Sequence, residues 1–228
     1  MTSLNIHQTV KAPPRTPNDS VGASSNKRKR GRPPYGRSAH MNQREAERLF
    51  QAFETAQLIG APLNVAVTIQ WAMCVNWEDE HQRLKKWSER VRKWLERRGS
   101  VYASVWVMES NTPTEMLHSH ILLHIPEDLI DDFRSYAVAA TGGDAQDIGE
   151  SYAVLVKECG PPFGAKGMLK YMLKTLKVED ALALGMRRKE GRAKMGVRAL
   201  IDGKRCGYSK PIGPKARSHW KFQLDGAR

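Results

Sequence analysis

Two apolar runs joined by a short polar link, VYASVWVMES at 101–110 and LHSHILLHI at 117–125, constrain the fold of this chain more than any other feature. Strands connected across so few residues run antiparallel, because a parallel pair needs a crossover of a dozen residues or more. The rest of the pattern builds around that hairpin. Ala46, Leu49, Phe50, Phe53 and Leu58 mark one face of a helix over 42–59, and LNVAVTIQW at 63–71 reads as a strand. Leu84, Trp87, Val91, Trp94 and Leu95 form the apolar stripe of a basic helix over 79–98 that Gly99 stops. Pro126 opens a helix with Leu129, Ile130 and Phe133 inward, SYAVLVKE at 151–158 is a fourth strand, and a helix follows over roughly 164–177. The expected fold is α+β, a central antiparallel sheet flanked by helices.

The charge is unevenly placed along the 228 residues. Residues 1–40 carry eight Lys/Arg against Asp19, and residues 178–228 carry thirteen against five acids, which leaves −2 of the total +13 for the middle. A nearly neutral core with two basic ends is the pattern of a polyanion binder. The chain is therefore divided into a basic arm rich in Pro and Ser over 1–40, a folded domain over 41–190 and a basic, glycine-punctuated C-terminal loop over 191–228. Arg205, Lys210 and Lys215 in that loop are expected to grip phosphate, with Lys170 beside them in charge. Inside the arm, NKRKRGRPPYGR resembles an AT-hook: proline holds the segment open and Arg30 and Arg32 would enter a narrow A·T minor groove.

Cys74, Cys159 and Cys206 are odd in number and far apart, which argues against a disulfide framework or a cysteine zinc site and fits a reducing cytoplasm. No apolar stretch reaches 18 residues, and the N-terminus lacks an apolar signal region, so neither a membrane span nor secretion is expected.

Strand alternation sorts the histidines. His118, His120, Leu122 and His124 share one face, and Ser119, Ile121, Leu123 and Ile125 share the other. Adjacent same-face positions lie about 7 Å apart along the backbone. His118 and His120 can thus converge on one cation, while His124, beyond Leu122, is a strand-end residue. Glu109 sits near the partner position of the hairpin and is the candidate third ligand. Farther along, Tyr171 and Lys174 lie three apart on the late helix, and so on one side of it.

A His-x-His strand, an acid-bearing strand before it and a helix with Tyr-x-x-Lys after it together resemble the HUH endonucleases, and within them the single-tyrosine initiators of rolling-circle replication in small plasmids and single-stranded DNA phages. The resemblance covers about 60–177. It implies a sheet related to the RRM and palm layout, His118, His120 and Glu109 holding Mg²⁺ or Mn²⁺, and Tyr171 as nucleophile supported by Lys174. Ser119 departs from the hydrophobic residue usual between the two histidines. The implied reaction suits the side chains: an ordinary phenol titrates near pH 10 and needs help to attack, and the scissile phosphate needs a Lewis acid. The implied substrate is single-stranded or extruded origin DNA, with a host helicase and polymerase as further partners. A relaxase or single-tyrosine transposase would share every one of these residues. A non-catalytic DNA-binding regulator, gripping through the arm and the basic C-terminus, is the reading from another class. A cupin-like metal enzyme would need a glutamate where His124 and Ile125 stand.

Overall fold

The computed structural model describes residues 36–74, 79–110, 117–142, 152–161, 164–186 and 200–226. The hook-like arm with Arg30 and Arg32, and the turn at 111–115, lie outside the described residues.

Local chemistry sets the helix ends. Helix α1, Gln43–Leu58, starts in a capping box: the Asn42 side chain accepts from the Glu45 N–H, and the Glu45 carboxylate accepts from the Asn42 N–H. Helix α2, Glu80–Glu96, begins at Asp79, whose carboxylate accepts from the His81 N–H. It closes where Gly99 takes φ +72° and the Ser100 N–H bonds back to Leu95 O. The strands are β1 Val65–Gln70, β2 Ser104–Glu109, β3 His118–Leu123, β4 Val154–Glu158 and β5 Cys206–Tyr208. Helix α3 spans Ile130–Ala139, α4 Gly164–Met172, α5 Val178–Ala183 and α6 Pro214–Gly226.

All strand pairs are antiparallel, and the sheet order is β4-β1-β3-β2-β5. The first four strands with α2 and α3 make the β-α-β-β-α-β arrangement, in which the hairpin strands β2 and β3 stay paired and β1 lies between β3 and β4. The expected α+β fold with a central antiparallel sheet is therefore the observed one. Each face of the sheet is covered. Ala66, Val105, Val107 and Leu122 pack with Leu49 and Phe53 of α1 and with Leu169, Met172 and Leu173 at α4. Val67, Ile69, Ile121 and Leu123 pack with Trp87, Val91 and Trp94 of α2 and Phe133 of α3. Both faces being buried explains why these strands read as nearly continuous apolar runs rather than as a clean polar–apolar alternation.

The C-terminal segment differs from the loop expected over 191–228. Among its described residues, β5 pairs with β2 through Val105↔Tyr208, Trp106↔Gly207 and Val107↔Cys206, and α6 lies against α1. A side chain at Gly207 would come within 2.7 Å of the Trp106 ring, so only glycine lets this strand pass. Gly207, one of the glycines that suggested a loop, serves close approach instead. At the other end, the fold reaches back before residue 41: Ser38 bridges Ile201, Met41 bridges Leu176, and Met41 is fully buried. Among the described residues no helix is long and apolar enough to cross a membrane.

Candidate metal and tyrosine site

The site is built on the sheet face that α1 and α4 cover. In the β2–β3 register Glu109 stands directly opposite His118, and Val107 opposite His120, so one carboxylate and two imidazoles project side by side. Glu109 Oε2 lies 3.4 Å from His118 Nε2 and 3.3 Å from His120 Nε2. One ligand atom from each of the three residues falls within 4.8 Å of the others. His124 is outside the group; its Nδ1 lies 2.9 Å from Pro62 O.

Helix α4 brings the remaining groups. It ends at Met172, sooner than the 164–177 span expected, and the chain tightens into a turn in which the Lys174 N–H donates to Tyr171 O. That turn folds the Lys174 side chain across the phenol. Its Nζ donates to Tyr171 Oη at 3.2 Å, sits 4.5 Å from the ring centroid, and lies 2.7 Å from Glu109 Oε2. The Tyr171 ring stands edge-on to His120 with centroids 5.4 Å apart. Sequence-distant candidates are thus in one contact cluster: Glu109, His118, His120, Tyr171 and Lys174. Glu109 is 1% exposed and Tyr171 42% exposed, so the acid is buried while the phenol is open to solvent.

Electrostatics fit that division. Burial alone would raise the Glu109 pKa, but His118, His120 and the Lys174 ammonium outweigh it and hold the carboxyl at about 2. Burial lowers the His120 pKa, against the opposing pull of Glu109, and so favours the neutral ring a metal needs. Burial would also lower Lys174, but Glu109 and Tyr171 more than offset it, and the ammonium is stabilised.

Thr68 of β1 is the site residue that sequence reasoning missed. It is paired with His120 in the β1–β3 register, and its Oγ1 lies 2.9 Å from His120 Nδ1. With the ring proton on Nδ1 donated to Thr68, the Nε2 lone pair points free into the cluster. The only trace of this in the sequence is a polar residue within the strand run LNVAVTIQW. The donor set fits a divalent cation on one further observation: Glu109 Oε1 and His120 Nε2 are buried without a well-formed hydrogen bond. Unsatisfied buried groups cost about 1–3 kcal/mol each, a cost that coordination would relieve.

Ser119, the departure within His-x-His, points to the opposite face, where its Oγ accepts from the buried Trp71 Nε1 at 2.8 Å. It does not disturb the histidines.

Of the expected phosphate-gripping residues, Lys170, Lys210 and Lys215 are exposed, and Lys170 lines a cleft between α1 and α4 with Lys166, Glu47 and Glu54. Arg205 requires correction. It is 1% exposed, and its guanidinium donates to Ser38 O and Ser38 Oγ, tying residue 38 to the segment that leads into β5. At 1% exposure the guanidinium presents no surface for direct phosphate contact.

The chain matches no protein-family model, no curated protein and no solved structure.

Proposed function

We propose that this protein is a site-specific DNA strand transferase of the HUH type, acting as a replication initiator that nicks single-stranded origin DNA through Tyr171. The observation that carries this reading is the convergence, on one sheet face, of an exposed phenol, an ammonium 3.2 Å from its oxygen, and a buried Glu-His-His group.

Each residue has a task in the reaction. Tyr171 Oη must shed its proton and attack phosphorus in line with the departing 3′ oxygen. The P–O3′ bond breaks as the Oη–P bond forms, the departing oxygen takes a proton to become a 3′-OH, and the 5′ phosphate stays on Tyr171. Lys174, against Oη, stabilises the phenolate as it forms. His118, His120 and Glu109 would hold Mg²⁺ or Mn²⁺, which would polarise the scissile phosphate and neutralise developing charge. Thr68 fixes the His120 ring. Because a phosphodiester is exchanged for another ester, the strand can later be rejoined, and the free 3′-OH suits extension by a host polymerase behind a host helicase. Exposed Lys170, one residue before the nucleophile, suits a backbone contact.

The test is a pool of random single-stranded oligonucleotides incubated with the full chain and Mn²⁺, then resolved under denaturing conditions. A covalent adduct on the new 5′ end created by the nick is expected for wild type and none for Tyr171→Phe, with DNA binding by mobility shift retained in both. A Tyr171→Phe protein that still forms the adduct would discard the nucleophile assignment. DNA binding with no adduct under any divalent metal would favour the non-catalytic regulator.

A further inference from the structure

The most unusual contact in the cluster is the one between Lys174 and Glu109. A metal site ordinarily keeps cations away from its carboxylate. Here an ammonium lies 2.7 Å from Oε2, the same oxygen that stands 3.3 and 3.4 Å from the two imidazole Nε2 atoms. A divalent cation bound by all three ligands takes up bonds of roughly 2.0–2.3 Å, which would set it within a few ångströms of Nζ. Two cations that close in a site this dry repel strongly, because solvent screens them little. The ammonium has somewhere else to go: Tyr171 Oη is already 3.2 Å away and its ring 4.5 Å away, on the exposed side of the cluster.

We propose that Lys174 is an internal cation that holds Glu109 in the metal-free protein and is displaced when a divalent metal binds, so that metal loading hands the ammonium over to Tyr171. The lysine keeps the buried carboxylate paired while the site is empty, which spares the fold an isolated buried charge. Metal and Lys174 are then exclusive partners of Glu109 Oε2. Loading weakens as a result, and the phenol receives its full cationic support only once the metal is in place. This inference rests on the metal-binding part of the proposed function and deepens it by naming a control of the same site; it does not depend on nicking.

The test reads metal affinity, not activity. Mn²⁺ binding to the full-length protein at pH 7.5 is followed by calorimetry and by loss of the free-ion electron paramagnetic resonance signal. Lys174→Met, which keeps the apolar stem and removes the charge, should bind Mn²⁺ about tenfold or more tightly than wild type. Lys174→Gln serves as a second neutral variant should the first fail to fold. Lys174→Arg, which keeps a cation at the position, should stay near wild type or below it. Glu109→Gln identifies the site. If it loses Mn²⁺ while both neutral Lys174 variants bind no tighter than wild type, the competition is overturned and the metal site stands. If Glu109→Gln and His118→Ala leave Mn²⁺ binding unchanged, or wild type and both neutral variants bind none, the metal site itself is wrong and the inference falls with it.

Discussion

Thr68 Oγ1 and His120 Nδ1 are 2.9 Å apart, across a pairing of β1 with β3 that joins residues 52 positions apart in the chain. The contact holds the His120 ring with Nε2 towards Glu109, and with the proton on Nδ1 it leaves that Nε2 lone pair available as a ligand.

Removing that contact without changing size should therefore loosen the metal site. Thr68→Val is expected to weaken Mn²⁺ binding by about tenfold or more, the usual scale for a lost partner behind a ligand, with Thr68→Ser close to wild type. Calorimetric titration of the three proteins checks it. A Thr68→Val protein with wild-type affinity would show that the hydroxyl does not govern the ring.

Ser119 sits between the two histidines yet answers to the other side of the sheet, where it accepts from Trp71 Nε1. Ser119→Ala should leave a buried indole N–H unpaired and cost about 1–3 kcal/mol in urea unfolding. Mn²⁺ affinity should not change. A loss of metal binding at unaltered stability would mean that Ser119 acts on the site after all.

Acid should expose what Glu109 contributes. Its folded pKa, about 2, lies below the ordinary value of 4.5 because His118, His120 and Lys174 outweigh the burial that would raise it. A depressed carboxylate stabilises the fold above pH 4.5, and that stabilisation is lost as pH falls towards 2. By linkage it amounts to about 3 kcal/mol. In metal-free protein, the stability difference between wild type and Glu109→Gln should shrink by about this amount between pH 7 and pH 2. Denaturant unfolding across that range measures it, and a pH-independent difference would sink the assignment.

Arg205 is buried against Ser38, whereas Lys170 is exposed beside Tyr171. Arg205→Met should lower stability by about 1–3 kcal/mol and leave the salt dependence of DNA binding unchanged. Lys170→Ala should leave stability within about 0.5 kcal/mol and reduce the salt slope by about one. Unfolding midpoints and filter binding at several salt concentrations distinguish them; the reverse pattern would return Arg205 to the DNA-binding surface.

Much of the site was legible before any fold was known. Period-2 alternation placed His118 and His120 together and turned Ser119 away, hairpin geometry put Glu109 at the facing position, and helical spacing put Lys174 on the side of Tyr171. These are local rules, fixed by backbone dihedrals over a few residues. The basic C-terminus shows where composition misleads. Glycine and lysine read as loop, but a three-residue strand can be recognised only from the β2 edge it completes.

What tertiary structure alone decided is which distant pieces meet. Nothing local in LNVAVTIQW aims Thr68 at His120, because the β1–β3 register depends on the whole sheet order. Nothing in the charge of Arg205 distinguishes a buried tie to Ser38 from a surface grip on phosphate. Nor does the spacing of Tyr171 and Lys174 say that the ammonium reaches Glu109, since that requires α4 to pack on β1 and β3 and bring the turn after it to the end of β2. Side-chain type and periodicity select candidates and their faces. Close packing of non-local elements selects their partners, and at His118, His120, Glu109, Tyr171 and Lys174 the partners are what make a chemical site.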